Sequence, residues 1–306
     1  MGQAYQAGVL AALQLDLGWD ARKVDVMIGT SAGAVTGALL RLDTSPFDLA
    51  SWVLGQSWSP DQSILKAFAA VREDLPPLNL GTFMRPWRLP AMGTFVPVGH
   101  RPWSVRPLAI LSSMVPPGRA DMQELLARHL PEEIATDWPT GLRICAVRRK
   151  DGRRVVFGEQ PNERTRLASA IAASSSIPGY FAPVTIDGQQ YLDGGIHSPT
   201  NADLLASEGL DLAIIVSPMS GGAGGFDKLL RGVAQRRLRS EVEQIERRGT
   251  KVIVFEPGPV SSRTMGINPM VNDDCDRALQ ASFFEAGELA ARSETRQLLA
   301  ACDVAR

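Results

Sequence analysis

Gly29-Thr30-Ser31-Ala32-Gly33 sets a serine hydroxyl at the centre of a Gly-x-Ser-x-Gly pentapeptide. A short apolar run precedes it (VDVMI, 24–28), and an Ala- and Leu-rich stretch follows at 32–40. A strand running into a helix through such a pentapeptide makes a sharp turn. The small residues at either end let the chain double back, and the serine hydroxyl is left exposed at the tip. The start of the following helix aims free N–H groups and a positive dipole end at the same spot, where the oxyanion of an acyl-transfer reaction would form. Taken alone, the pentapeptide also fits a plain β–α turn capped by Ser31.

A serine nucleophile needs a base. The histidines are His100, His129 and His197. In α/β-hydrolases several strands precede the serine and the histidine comes last. Here at most one strand precedes Ser31, and no histidine lies beyond 197. A carboxylate acting directly on Ser31 fits this order better than a triad. Asp193 stands out: it follows an expected strand and opens Asp193-Gly194-Gly195, whose glycines permit close backbone approach. The bland reading of that tripeptide is a turn after a hairpin strand. His197 reads as a loop side chain rather than a base.

The elements that would position these residues alternate between strand and helix. Tyr5, Val9, Leu10, Leu13 and Leu17 recur at helical spacing, which predicts a helix over 3–15. Residues 142–148 and 153–157 predict a hairpin around Asp151-Gly152, and a second hairpin turns at Asp187-Gly188 between 184–186 and 190–192. The pattern at 164–174 is helical. LAIIVS (212–217) and KVIVF (251–255) suit buried parallel strands, with a charged helix between them and an amphipathic helix over about 274–292. The fold class expected is α/β, a mostly parallel central sheet flanked by helices.

Three blocks then bear a family resemblance: AYQAGVLAAL (4–13), VMIGTSAGAVTGALL (26–40) and SSSIPGYFAPVTIDGQQYLDGGIHSPTNADLL (174–205). Together they resemble the patatin-like phospholipases. The resemblance implies a three-layer α/β sandwich and a Ser–Asp dyad without a triad histidine, metal or cofactor. Carried over, Ser31 is the nucleophile and Asp193 the base, and the reaction is hydrolysis of lipid acyl esters through an acyl-enzyme. Gly29, Thr30, Ala32, Gly33, Gly194 and Gly195 surround the dyad. In the family a first strand and a run of glycines precede the first helix, and their N–H groups hold the oxyanion. Only Gly2 corresponds to that loop here, so the resemblance implies an upstream segment carrying the strand and the remaining glycines.

The segment from about 42 to 119 differs from the rest. It holds eleven of the 21 prolines and four of the six tryptophans, which marks it as a lid or cap insertion within one domain spanning 1–306. From Leu75 to Ala120 there is no acidic residue, while Arg85, Arg88, Arg101, Arg106 and Arg119 are interleaved with Phe83, Trp87, Phe95 and Trp103. Such a pattern suits peripheral contact with a membrane surface. An ordinary cap whose aromatics pack inward is the competing reading.

Composition narrows the partners. A net charge of −1 gives no general pull towards nucleic acid. No apolar run reaches the ~18 residues of a membrane span. Cys145, Cys275 and Cys302 are widely spaced and suggest neither a disulfide framework nor a zinc site. A reducing cytoplasm is the default expectation. Three functional readings stay open on sequence alone: a lipid acyl hydrolase, an acyltransferase or thioesterase using the same dyad, and a catalytically weak lipid-binding or regulatory protein.

Overall fold

Two Asp-Gly turns and one strand-to-helix turn build the sheet that carries the expected site residues. The computed structural model describes residues 1–56, 63–75, 115–159, 165–221, 227–265 and 274–301. Strands β2 (Leu142–Arg148) and β3 (Arg154–Phe157) pair antiparallel, with Ile144 opposite Phe157. Arg148 grips the turn between them by bonding both oxygens of Asp151. Strands β4 (Val184–Ile186) and β5 (Gln189–Asp193) form the second hairpin. Its turn residues Asp187 and Gly188 both have positive φ, 48° and 73°. That is the backbone of a type I′ turn, whose twist matches its strands.

The sheet runs β1-β2-β5-β4, with β3 on the other edge of β2. Its first strand, β1 (Met27–Gly29), leads directly to Ser31. The fold is mixed α/β, a sheet flanked by helices, as the sequence implied. The strand sense is more mixed than "mostly parallel": β2–β3, β2–β5 and β4–β5 are antiparallel, while β6 (Leu212–Val216) and β7 (Lys251–Phe255) are parallel. Tight turns can only join antiparallel strands, which accounts for β2–β3 and β4–β5; β2–β5 is a long-range pairing.

The chain clusters into two compact units. One comprises Ile28–Val35 and Ser63–Pro199. In it α7 (Leu167–Ser174) packs on β2, β4 and β5, and also on α5 (Met122–His129) and the short α6 (Glu132–Thr136). Asp121 caps α5 by accepting from the Gln123 and Glu124 N–H groups. Helix α4 (Ser63–Glu73) packs on α5. The core of this unit is aliphatic: Leu126, Leu142, Ile144, Leu167 and Ile171 are fully buried, together with Phe181.

The other unit comprises Met1–Met27, Thr36–Gln62 and Thr200–Arg306. Helix α1 (Gly2–Leu17) is buried from Ala4 to Leu13 and packs along α9 (Cys275–Ala290) and α3 (Pro46–Val53). Gln6, inside this apolar helix, is satisfied by the Thr36 hydroxyl at 2.7 Å. The run expected as a strand over 24–28 begins later, at Met27. The Arg41 guanidinium, from the end of α2 (Ala32–Arg41), takes the Val24 and Asp25 carbonyls, so a side chain occupies groups that a neighbouring strand would need. Helices α3 and α4 lie within the 42–119 segment, whereas residues 57–62 and 76–114 of it, with most of the Arg/Trp pattern, lie outside the described residues. Cys145 and Cys275 are buried thiols. Among the described residues no helix is long and apolar enough to cross a membrane.

The charged helix α8 (Asp227–Glu246) carries one fully buried carboxylate. Glu241 accepts from the Thr200 hydroxyl at 2.5 Å, the Ala202 N–H at 3.1 Å and the Arg237 guanidinium at 3.0 Å. It ties α8 to the 3-10 turn Ala202–Ser207. Glu241→Ala removes the acceptor of three donors at once. A loss of about 3 kcal/mol is expected in a urea unfolding titration, with Glu241→Gln, which keeps one acceptor oxygen, losing less.

Candidate active site

Ser31 sits at the turn between β1 and α2 with φ of 53°, in the left-handed region that a residue with a Cβ rarely adopts. Such a conformation costs on the order of 1–3 kcal/mol and persists only where its surroundings over-determine it. Part of that determination is in the pentapeptide. Gly29 passes so close to α2 that a Cβ on it would lie 2.5 Å from the Gly33 carbonyl oxygen and 2.7 Å from the Ala34 Cα. The Gly33 N–H closes back on the Thr30 carbonyl at 2.8 Å, and the Ala34 N–H on the Ser31 carbonyl at 2.9 Å. The Ala32 N–H lies in the first turn of α2. Ser31 itself is half-buried.

Asp193 ends β5 opposite Ala146 of β2. It is almost entirely buried. One carboxylate oxygen accepts from the Gly195 N–H at 2.7 Å, which starts the 3-10 turn Gly194–Ile196. The Ser31 side chain is close enough to favour the charged form of the carboxylate. Gly194 lets the turn press on β2: a Cβ there would meet the Cys145 carbonyl oxygen at 2.2 Å and the Thr30 methyl at 3.1 Å. The residues expected around the dyad, Gly29 to Gly33 and Asp193 to Gly195, therefore come together. Burial pushes the Asp193 carboxyl up to about 6, against the Gly195 N–H and the Ser31 hydroxyl, both of which favour the charged form.

Gly2 is the first residue of α1 and belongs to the other unit. His197 closes the 3-10 turn by donating its N–H to the Gly194 carbonyl. His129 bonds Asp74 at 2.7 Å, away from the motif residues in sequence, and His100 lies outside the described residues. Two residues near the dyad were not singled out by sequence reasoning. The Ser174 hydroxyl accepts from the Ser31 N–H at 2.9 Å, and the Ser176 carbonyl accepts from the Asp193 N–H at 3.0 Å. A signal was available: three consecutive serines end an otherwise apolar helix, and buried hydroxyls need partners.

The raised pKa has a consequence for stability. In the unfolded chain Asp193 ionises near 3.8, and in the fold near 6. Below pH 3.8 both states are neutral and the group contributes nothing. As pH rises through 6 the fold must carry a buried charge that the unfolded chain carries in water, so stability is lost, by about 3 kcal/mol at most. Asp193→Asn keeps the acceptor for Gly195 and removes the titration. The variant is expected to be more stable than the parent at pH 7.5 by about 1–3 kcal/mol, with the gap closing at pH 4 in denaturant titrations at the two pH values.

A sequence profile of the patatin-like phospholipase family matches residues 1–206. No curated protein matches the chain. Among solved structures, VipD from Legionella pneumophila aligns with a TM-score of 0.45 and 15% identity, over 98% of this chain and 65% of VipD. The chain thus spans 65% of the length of that structure. The profile match runs from Met1 through both Ser31 and Asp193 and covers well over half of the residues; the chain belongs to the patatin-like phospholipase family.

Proposed function

We propose that the chain is a serine acyl hydrolase that cleaves carboxylic esters of lipids, with Ser31 as nucleophile and Asp193 as its base. Family membership supports lipid acyl hydrolysis in general. The observation that carries the finer reading is the buried Asp193 carboxyl, raised to about 6 by burial, whose charged form the Ser31 side chain favours. A base with a pKa close to the working pH can both take and return a proton.

The reaction runs in two halves. The Ser31 oxygen attacks the ester carbonyl carbon while its proton passes to Asp193. The tetrahedral intermediate collapses, the alcohol leaves with that proton, and the acyl group stays on Ser31. Water then attacks the acyl-enzyme, Asp193 again takes the proton, and the fatty acid departs as Ser31 is reprotonated. The Ala32 N–H, at the positive end of α2, is one donor for the oxyanion. Gly33, Gly194 and Gly195 serve by letting the backbone close around the dyad. The same dyad would serve acyl transfer to another alcohol, or a thioester, and product analysis separates these outcomes.

Fluorophosphonate labelling and hydrolysis of a p-nitrophenyl ester test the reading. Ser31→Ala and Asp193→Asn should lose hydrolysis by at least ~1000-fold with unchanged circular dichroism, while His197→Ala keeps most of it. kcat/KM should fall tenfold per pH unit below an inflection near 6 and level off above it, because only the ionised carboxyl accepts the serine proton. A dead His197→Ala in folded protein would replace the dyad with a triad. Folded parent protein that neither labels nor hydrolyses would favour the lipid-binding reading.

Residues 75–120 are proposed to touch the lipid surface. Trp87 and Trp103 fluorescence should shift blue on adding anionic vesicles. Replacing Arg85, Arg88, Arg101 and Arg106 by Gln, or raising salt so that the Debye length falls from ~10 Å to ~3 Å, should weaken binding. Equal binding by the four-Gln variant at low salt would remove this contact from the proposal.

A further inference from the structure

Ser174 is the last residue of α7 and is completely buried. Its hydroxyl makes two hydrogen bonds whose directions are fixed by chemistry. The Ser31 N–H can only donate, so the Ser174 oxygen accepts it, at 2.9 Å. The Cys145 carbonyl can only accept, so the Ser174 proton goes there, at 2.7 Å. One hydroxyl therefore joins the turn that carries the nucleophile to strand β2. Cys145 is also the residue against which Gly194 presses, and its neighbour Ala146 is paired with Asp193. Two residues further on, the Ser176 carbonyl takes the Asp193 N–H, and the Ser176 hydroxyl is bound to the Ala172 carbonyl. The end of α7 thus holds the backbone N–H of both dyad members.

We propose that Ser174 is a positioning residue for the dyad: its hydroxyl holds Ser31 in the left-handed conformation that points the nucleophile at Asp193. The inference rests on the reading of Ser31 and Asp193 as the catalytic pair. The pentapeptide makes the elbow sterically allowed, but it supplies no acceptor for the Ser31 N–H. Without Ser174 that N–H has no acceptor at this place, and the strained φ of 53° loses the bond that rewards it. Relaxation of one backbone angle moves the serine oxygen relative to a carboxylate that β5 keeps in place. Displacements on the order of 1 Å at a reacting atom cost about 100-fold in rate. The bond also occupies the Ser31 N–H, so that group is not a donor to the substrate oxyanion.

Ser175 provides the control. It lies between the two holding residues, is 8% exposed, and its hydroxyl oxygen has no hydrogen-bond partner among the described residues. Steady-state hydrolysis of p-nitrophenyl butyrate and the rate of fluorophosphonate labelling are measured for the whole chain. Both are expressed per folded molecule, with the folded fraction taken from circular dichroism. Ser174→Ala should lower kcat by about 100-fold with KM nearly unchanged, the pattern of an interaction that acts on the transition state. Labelling should slow in step. Ser175→Ala should keep the parent kcat, and Ser174→Thr, which restores a hydroxyl, should regain about tenfold of the loss. A Ser174→Ala enzyme within about threefold of the parent kcat, well under the loss a misplaced nucleophile implies, would overturn the proposal. So would a Ser175→Ala enzyme as slow as Ser174→Ala, since the loss would then follow from disturbing the helix end. Ser31→Ala, run alongside, separates the two readings: if it stays active the dyad itself is wrong, whereas if it is dead while Ser174→Ala is fast, only the positioning role falls.

Discussion

A carboxyl buried at the end of β5, with no cation paired to it among the described residues, sets the terms for everything around it. Asp193 is 6% exposed, and the causes that act on its ionisation are burial, the Gly195 N–H and the Ser31 side chain. A paired aspartate would be held ionised and would be a weak base. An unbonded one would stay neutral at working pH. The intermediate outcome depends on the Gly195 N–H and the Ser31 hydroxyl being in reach. Their reach depends in turn on Gly194 lying against β2 and on Ser31 adopting a conformation it does not favour. The sheet register, the 3-10 turn and the serine elbow are thus parts of one electrostatic arrangement.

The rigidity that this arrangement requires comes from short-range hairpins and one long-range helix. The two hairpins fix the pairing of β2 with β3 and of β4 with β5 through local turns, and the long-range pairing of β2 with β5 joins them. Helix α7 spans the face formed by β2, β4 and β5 and ends beside both Ser31 and Asp193. Its Ala-rich sequence allows close approach to the strands, since small side chains keep the helix near the sheet. The Ser174 and Ser176 hydroxyls then bond backbone groups.

Much of this was legible in the chain, for reasons that differ by element. Both hairpins announce themselves through Asp-Gly, because few dipeptides tolerate positive φ. β6 and β7 read as buried parallel strands from their β-branched runs, and they pair in register from Leu212–Lys251 to Val216–Phe255. The glycines flanking Ser31 and Asp193 were readable as points of close approach, and a Cβ at Gly29 or Gly194 would clash with backbone. Within the proline-rich 42–119 segment no element was assigned, yet Ser45, Pro46 and Asp48 form the start of helix α3. The strand before Ser31 was drawn too long because its apolar pattern cannot reveal that Arg41 claims the Val24 carbonyl. The role of Ser174 was invisible for the same reason. Its partner is 143 residues away, and periodicity and motif spacing report only on neighbours.

The left-handed backbone at Ser31 has a genetic side. Glycine is the one residue for which that conformation carries no steric cost, and a serine encoded by AGC or AGT is a single base change from it. Mutation at this position thus has an easy exit that removes the hydroxyl while relieving the turn. The N–H that Ser174 accepts would remain, so the elbow would keep its shape. A lineage released from selection for turnover can slide in that direction without passing through a misfolded intermediate. Where such a codon is used, folding offers no resistance to loss of the Ser31 hydroxyl, and only selection on what that hydroxyl does would retain it.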